Sequence, residues 1–142
     1  MNALIDTNIL VYRFDPRDRK KQLRATRLIR DQLEAGTARI AHQSIVEFIA
    51  ATTRPLGRRG PSLLNEQEAP WEAEELLRQF KVLYPCEAML RLAFRGWQTY
   101  AMSWFDAHLW SYAEFNEIDI FYSEDFQHER VYGTVRVVNP FL

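Results

Sequence analysis

A chain of 142 residues, 47% hydrophobic and 13% aromatic, has the size of one α/β domain and enough apolar material for a core without disulfides or a structural metal. Its formal net charge of −1 excludes a protein that coats nucleic acid by bulk attraction, and a single cysteine, Cys86, excludes an intramolecular disulfide, so a reducing cytoplasm is the expected setting. No stretch approaches a membrane span, and Asp6 interrupts the opening apolar run that a signal peptide would keep intact.

The run Asn2–Tyr12 begins as a continuous apolar stretch without alternation, which suits a strand buried on both faces of a parallel sheet. A helix is expected over Arg19–Glu34, with Ala25, Leu28, Ile29 and Leu33 at helical spacing, Lys20, Arg24 and Arg27 on another face, and Gly36 just past its end. Ala38–Ala41 reads as a second strand, and a helix over Gln43–Thr53 stops before Pro55. Pro55–Pro70, with its prolines and glycines, reads as a loop. A helix at Trp71–Phe80, a strand at Lys81–Tyr84 and helices at Glu87–Tyr100 and Trp104–Phe115 follow. Ile118–Tyr122 and Val135–Val138 are the last strands, rich in β-branched and aromatic residues. The alternation predicts one α/β domain over residues 1–142, a mainly parallel sheet of four to five strands with helices on both faces. In such folds sites form at the carboxyl ends of the strands.

Four acids stand out by placement. Asp6 breaks the most apolar segment where the first strand should end, and a buried carboxylate needs a compensating partner, be it a helix cap or something chemical. Glu47 lies in Ser44–Ala51 with apolar residues on both sides; a solvated helix face is the plain alternative. Asp106 follows Ser103 at capping-box spacing and shares a helix side with Trp110 and Ala113. Asp125, in Ser123-Glu-Asp-Phe126, is again an acid at a strand's carboxyl end, and its neighbour Glu124 should point elsewhere. Singly each has an ordinary structural explanation; their joint placement is the signal.

These residues also resemble a known pattern. Leu4-Ile-Asp-Thr-Asn-Ile-Leu10, Gln43-Ser-Ile-Val-Glu-Phe48, Ser103-Trp-Phe-Asp-Ala107, Tyr122-Ser-Glu-Asp-Phe-Gln-His128 and the ending Val137-Val-Asn-Pro-Phe141 are similar, in order and flanking residues, to the motifs of PIN domains. The nearest subgroup is the VapC-like toxins of toxin–antitoxin pairs. The resemblance implies an Mg²⁺- or Mn²⁺-dependent endoribonuclease, inhibited by a cognate antitoxin and commonly a homodimer. It makes Asp6, Glu47, Asp106 and Asp125 the catalytic and metal-binding acids, Ser123 the small hydroxyl that orients the attacking water, and Asn8 a polar neighbour of the site.

Phosphodiester hydrolysis needs an activated water and stabilisation of an anionic transition state, both of which a divalent metal provides. Mg²⁺ and Mn²⁺ take oxygen ligands, so carboxylates suffice without a Cys/His cluster. For the RNA substrate, Arg13, Arg17, Lys20, Arg24, Arg54, Arg58 and Arg59 are candidate phosphate contacts, against the plain alternative of solvated surface. His42, His108 and His128 lack zinc-site spacing, and Cys86 reads as a buried or inert thiol. Two rivals stand beside the nuclease: a non-catalytic RNA- or protein-binding module of the same fold, and a phosphatase with Asp6 as nucleophile. The second wants an acid two residues on, where this chain has Asn8.

Overall fold

The computed structural model describes residues 1–142. In chain order the elements are β1 (Ala3–Ile5), α1 (Thr7–Tyr12), α2 (Arg19–Glu34), β2 (Ala38–Ala41), α3 (His42–Thr53), α4 (Glu68–Gln79), β3 (Lys81–Leu83), α5 (Glu87–Thr99), α6 (Trp104–Phe115), β4 (Ile120–Tyr122), β5 (Val131–Tyr132) and β6 (Val135–Val138). The strands make one sheet in the order β3-β2-β1-β4-β6-β5, parallel except where β5 meets β6. The α/β class is as expected, but the strands number six where four to five were expected. The addition is β5, which turns into β6 through Gly133 (φ +65°) and Thr134, a two-residue hairpin that needs a residue tolerant of positive φ.

The central strands bury both faces. Leu4 and Phe121 pack with Leu109, Trp110 and Tyr112 of α6 on one side, while Ile5 and Ile40 pack with Leu10, Leu28, Ile29 and Phe48 on the other. Successive residues of a strand thus serve opposite layers, which is why these segments read as unbroken apolar runs. The chain lays β2 and β3 on one side of β1, then crosses to lay β4 and β6 on the other. A crevice opens where that direction reverses, outside the carboxyl ends of β1 and β4.

The opening run divides at Asp6, where the first strand was expected to end, and Thr7–Tyr12 is helical. Two boundaries move by more than one residue. The loop ends early, because α4 starts at Glu68: Asn65 Oδ1 accepts the N–H of Gln67 (2.9 Å) and of Glu68 (2.7 Å), and Glu68 Oε1 accepts the N–H of Asn65 (3.1 Å). These reciprocal bonds follow the capping-box pattern in the turn that leads into α4, and Pro70 is the third residue of the helix, within the first turn whose N–H groups lack intrahelical partners. The strand expected from Ile118 begins at Ile120, Ile118 being a buried plug before it. Gly36 does close α2, at φ +72°.

Candidate active site

Asp6 follows β1 directly and its N–H donates to Tyr122 O of β4 (3.0 Å), so the parallel pairing of Ile5 with Tyr122 fixes it at the crevice. It occupies the N-cap position of α1, yet its side chain makes no capping hydrogen bond. Instead Oδ2 accepts the Ser123 hydroxyl at 2.6 Å. Asp6 is 4% exposed, and its carboxyl is raised from 3.8 to about 7: burial is the largest cause, opposed by the Ser123 hydrogen bond and aided by the negative charges of Asp125 and Asp106.

The other acids arrive on three further elements. Glu47, on α3, has Oε1 held by the Thr7 hydroxyl at 2.9 Å; Thr7 also hydrogen-bonds Ser44 Oγ at 2.9 Å. Asp106 stands in the first turn of α6, its N–H donated to the Ser103 cap at 3.1 Å, and partial burial raises its carboxyl above the usual range, opposed by the Ser103 hydroxyl. Asp125 follows β4, with Oδ2 accepting Asn8 Nδ2 (3.1 Å) and its N–H donated to Ser123 Oγ (3.1 Å). Its carboxyl is raised too, first by desolvation and then by the charges of Asp106 and Glu124. All four acids, with Thr7, Asn8 and Gln43, line one cleft of about 610 Å³. Glu124 is not among its walls; it turns to Tyr12 and Lys21, as its adjacency to Asp125 required.

The Ser123 hydroxyl is fully buried, donating to Asp6 Oδ2 and accepting the Asp125 N–H, so in this structure it links the two acids. The basic candidates also separate. Arg54 is exposed on the cleft wall, and Arg58 and Arg59 are exposed on the loop after it. Arg17 is exposed but paired with Asp15 (2.8 Å), Arg24 Nε donates to Pro140 O (2.8 Å), and Lys20 is exposed on α2 away from the acids. Arg13 is half-buried over the Phe14 ring (5.4 Å), burial lowering its guanidinium.

Sequence reasoning assigned no role to Thr7, Gln43, Tyr12 or Lys21. Gln43 Nε2 donates to Phe105 O (3.1 Å), tying α3 to the start of α6, and it lies one helical turn before Glu47 on the same face, the one local signal available. No histidine lines the cleft; His108 stacks on Trp104 at 5.9 Å. Cys86 is exposed at the N-cap of α5, so the buried alternative does not hold.

The donor set is all oxygen, suited to a hard divalent cation. Burial raises three of the four carboxyls, and neighbouring acids add to the rise at Asp6 and Asp125, a frustration that a cation would relieve. No three acids, histidines or cysteines are already grouped as a ready-made cage. The chemistry of the set fits Mg²⁺ or Mn²⁺.

No curated protein sequence matches the chain. Its fold is similar to a chain of a toxin–antitoxin complex from Klebsiella pneumoniae, at 20% identity and TM-score 0.65 with 98% of each chain covered. It is also similar to VapC20 of Mycobacterium tuberculosis, a sarcin-ricin loop cleaving toxin (16% identity, TM-score 0.65, 87% of this chain and 90% of that one). A third likeness is to VapBC2 of Rickettsia felis, solved on a promoter DNA fragment (9% identity, TM-score 0.70, 96% and 97% covered). Residues 3–134 match the PIN domain, and with the crevice, the sheet order and the acids in place this chain belongs to the PIN-domain family.

Proposed function

We propose that the chain acts, as one PIN domain over residues 1–142, as an Mg²⁺- or Mn²⁺-dependent endoribonuclease, the toxin of a cytoplasmic toxin–antitoxin pair. The observation that carries this is the convergence on one cleft of acids from four elements, with the most buried of them raised to about 7. Asp6 and Asp106 would hold the cation directly, and Glu47 and Asp125 would complete the oxygen set. When bound, the ion supplies an activated water and stabilises the anionic transition state. The chain's own residues orient that set: Ser123 fixes Asp6, Asn8 fixes Asp125, and Thr7 fixes Glu47. Arg54, on the cleft wall, is the first candidate to receive a substrate phosphate.

The structural relatives from toxin–antitoxin complexes support an antitoxin partner. A homodimer is supported by the α5–α6 surface, where Leu90, Phe94 and Trp97 stay 38%, 45% and 50% exposed on one helix. Asn8, at the position a phosphatase would fill with a general acid, donates to Asp125, which disfavours that chemistry.

The test is RNA cleavage by purified, partner-free wild type and Asp6→Asn, each with EDTA, Mg²⁺ and Mn²⁺. The expected result is cleavage by wild type alone and only with metal. Undiminished metal-dependent cleavage by Asp6→Asn removes the assigned site. Folded wild type that cleaves no RNA under any condition returns the non-catalytic binding module as the better reading.

A further inference from the structure

We propose that Lys21 is a positioning residue for the acid-bearing turn Ser123–Asp125, holding Glu124 out of the cleft so that Asp125 alone of the adjacent pair faces it. The proposal rests on the metal-binding reading above and gives the terminal Asn139-Pro-Phe141 segment a task. Lys21 Nζ, on α2, lies 2.6 Å from Glu124 Oε2. The Tyr12 hydroxyl donates to Glu124 Oε1 and accepts from Lys21 Nζ at 3.3 Å, so both oxygens of Glu124 are held from the side opposite the acids. The ammonium also lies over the rings of Tyr12 (5.0 Å) and Phe141 (5.2 Å), which meet edge to face at 5.3 Å. Phe141 is in turn fixed by its N–H to Asn139 Oδ1 (2.9 Å), and Arg24 grips Pro140 O (2.8 Å).

Two consecutive acids at a strand end pose a problem for a metal site. Glu124 has one methylene more than Asp125, and if released it would compete for the cation or add charge beside carboxyls already raised by their neighbours. The pair is partly buried, with side chains 33% (Lys21) and 17% (Glu124) exposed. Removing the ammonium therefore leaves a poorly solvated carboxylate that must move, and the turn moves with it. On the other side Asp125 is held by Asn8 and by Ser123, the same hydroxyl that holds Asp6, so a disturbance of this turn reaches both acids.

The experiment is a cycle of Lys21→Met, Glu124→Gln and the double variant, with Lys21→Arg as the conservative control. Two readouts are taken: Mn²⁺ affinity by calorimetry, and amide hydrogen exchange at Asp125 with the Leu28 amide as the reference for global stability. Lys21→Met should weaken Mn²⁺ binding by about tenfold or more, the scale seen when a group orienting a metal ligand is lost. It should also speed exchange at Asp125 relative to Leu28. Glu124→Gln alone should change little, since Tyr12 can still bond the amide, and in the double variant it should restore both readouts. Lys21→Arg should keep most of the affinity.

Unchanged exchange at Asp125 in Lys21→Met, or effects that add without rescue in the double variant, overturns the proposal. Wild type that binds no Mn²⁺ overturns the metal-binding reading instead, and the exchange cycle at Asp125 still decides the clamp.

Discussion

Asp6 is the residue where folding and chemistry pull in opposite directions. A carboxylate 4% exposed among other acids is a cost to the metal-free fold, and burial with its charged neighbours raises it from 3.8 to about 7. A group whose folded value exceeds its unfolded one contributes its full share of stability below about 3.8, and loses it as pH rises through about 7. Asp6→Asn, isosteric and uncharged, should therefore stabilise the metal-free protein by on the order of 2–4 kcal/mol at pH 8 and by little at pH 4. Thermal melts in EDTA across that range check it, and a stability difference that does not grow with pH would refute the assignment of the strain to Asp6. Of this logic, one part was legible in sequence: an acid interrupting an apolar run needs a partner. The identity of the partner was not, since Ser123 is 117 residues away and reaches Asp6 through the β1–β4 pairing.

At the scale of elements, Asp106 is placed by the packing of α6 against α5. Gly96, inside α5, lies against α6: a Cβ there would stand 2.3 Å from the Trp110 ring. Trp110 cannot retreat freely, being buried with Nε1 donating to Tyr132 O at 3.0 Å. Glycine costs a helix interior about 1 kcal/mol relative to alanine, so Gly96→Ala would stabilise an isolated helix. Here the clash should reverse the sign and destabilise by about 1–3 kcal/mol, read as a lower urea midpoint with an unchanged slope. A stabilised Gly96→Ala would show that the two helices are free to separate. The periodicity of both helices and the Ser103 cap could be read directly, because those signals are local. Missed were the Asn65–Glu68 capping box, masked by surrounding prolines and glycines, and the Gly133 hairpin, whose flanking strand β5 is two residues long. Short elements carry too little periodicity to announce themselves.

For the molecule as a whole, a net charge of −1 means that the total field would not draw an anionic substrate, so under the proposed function the positive charge near the acids would govern RNA binding. Of the candidate phosphate contacts before β2, the fold gives two other work: Arg17 pairs with Asp15, and Arg24 holds the C-terminal segment. On the cleft wall stands Arg54, just past the end of α3, with Arg58 and Arg59 exposed on the loop that follows. Each phosphate contact on a single strand contributes about 0.7 to the slope of log affinity against log salt. Neutralising all three arginines to alanine should therefore flatten that slope by about 2, measured by fluorescence anisotropy of a labelled single-stranded RNA on the non-cleaving Asp6→Asn background. Arg17→Ala, whose guanidinium is already compensated, should leave the slope unchanged. If Arg17 carries the salt dependence and the three arginines do not, the substrate reaches the acids from the α1–α2 side and not past Arg54.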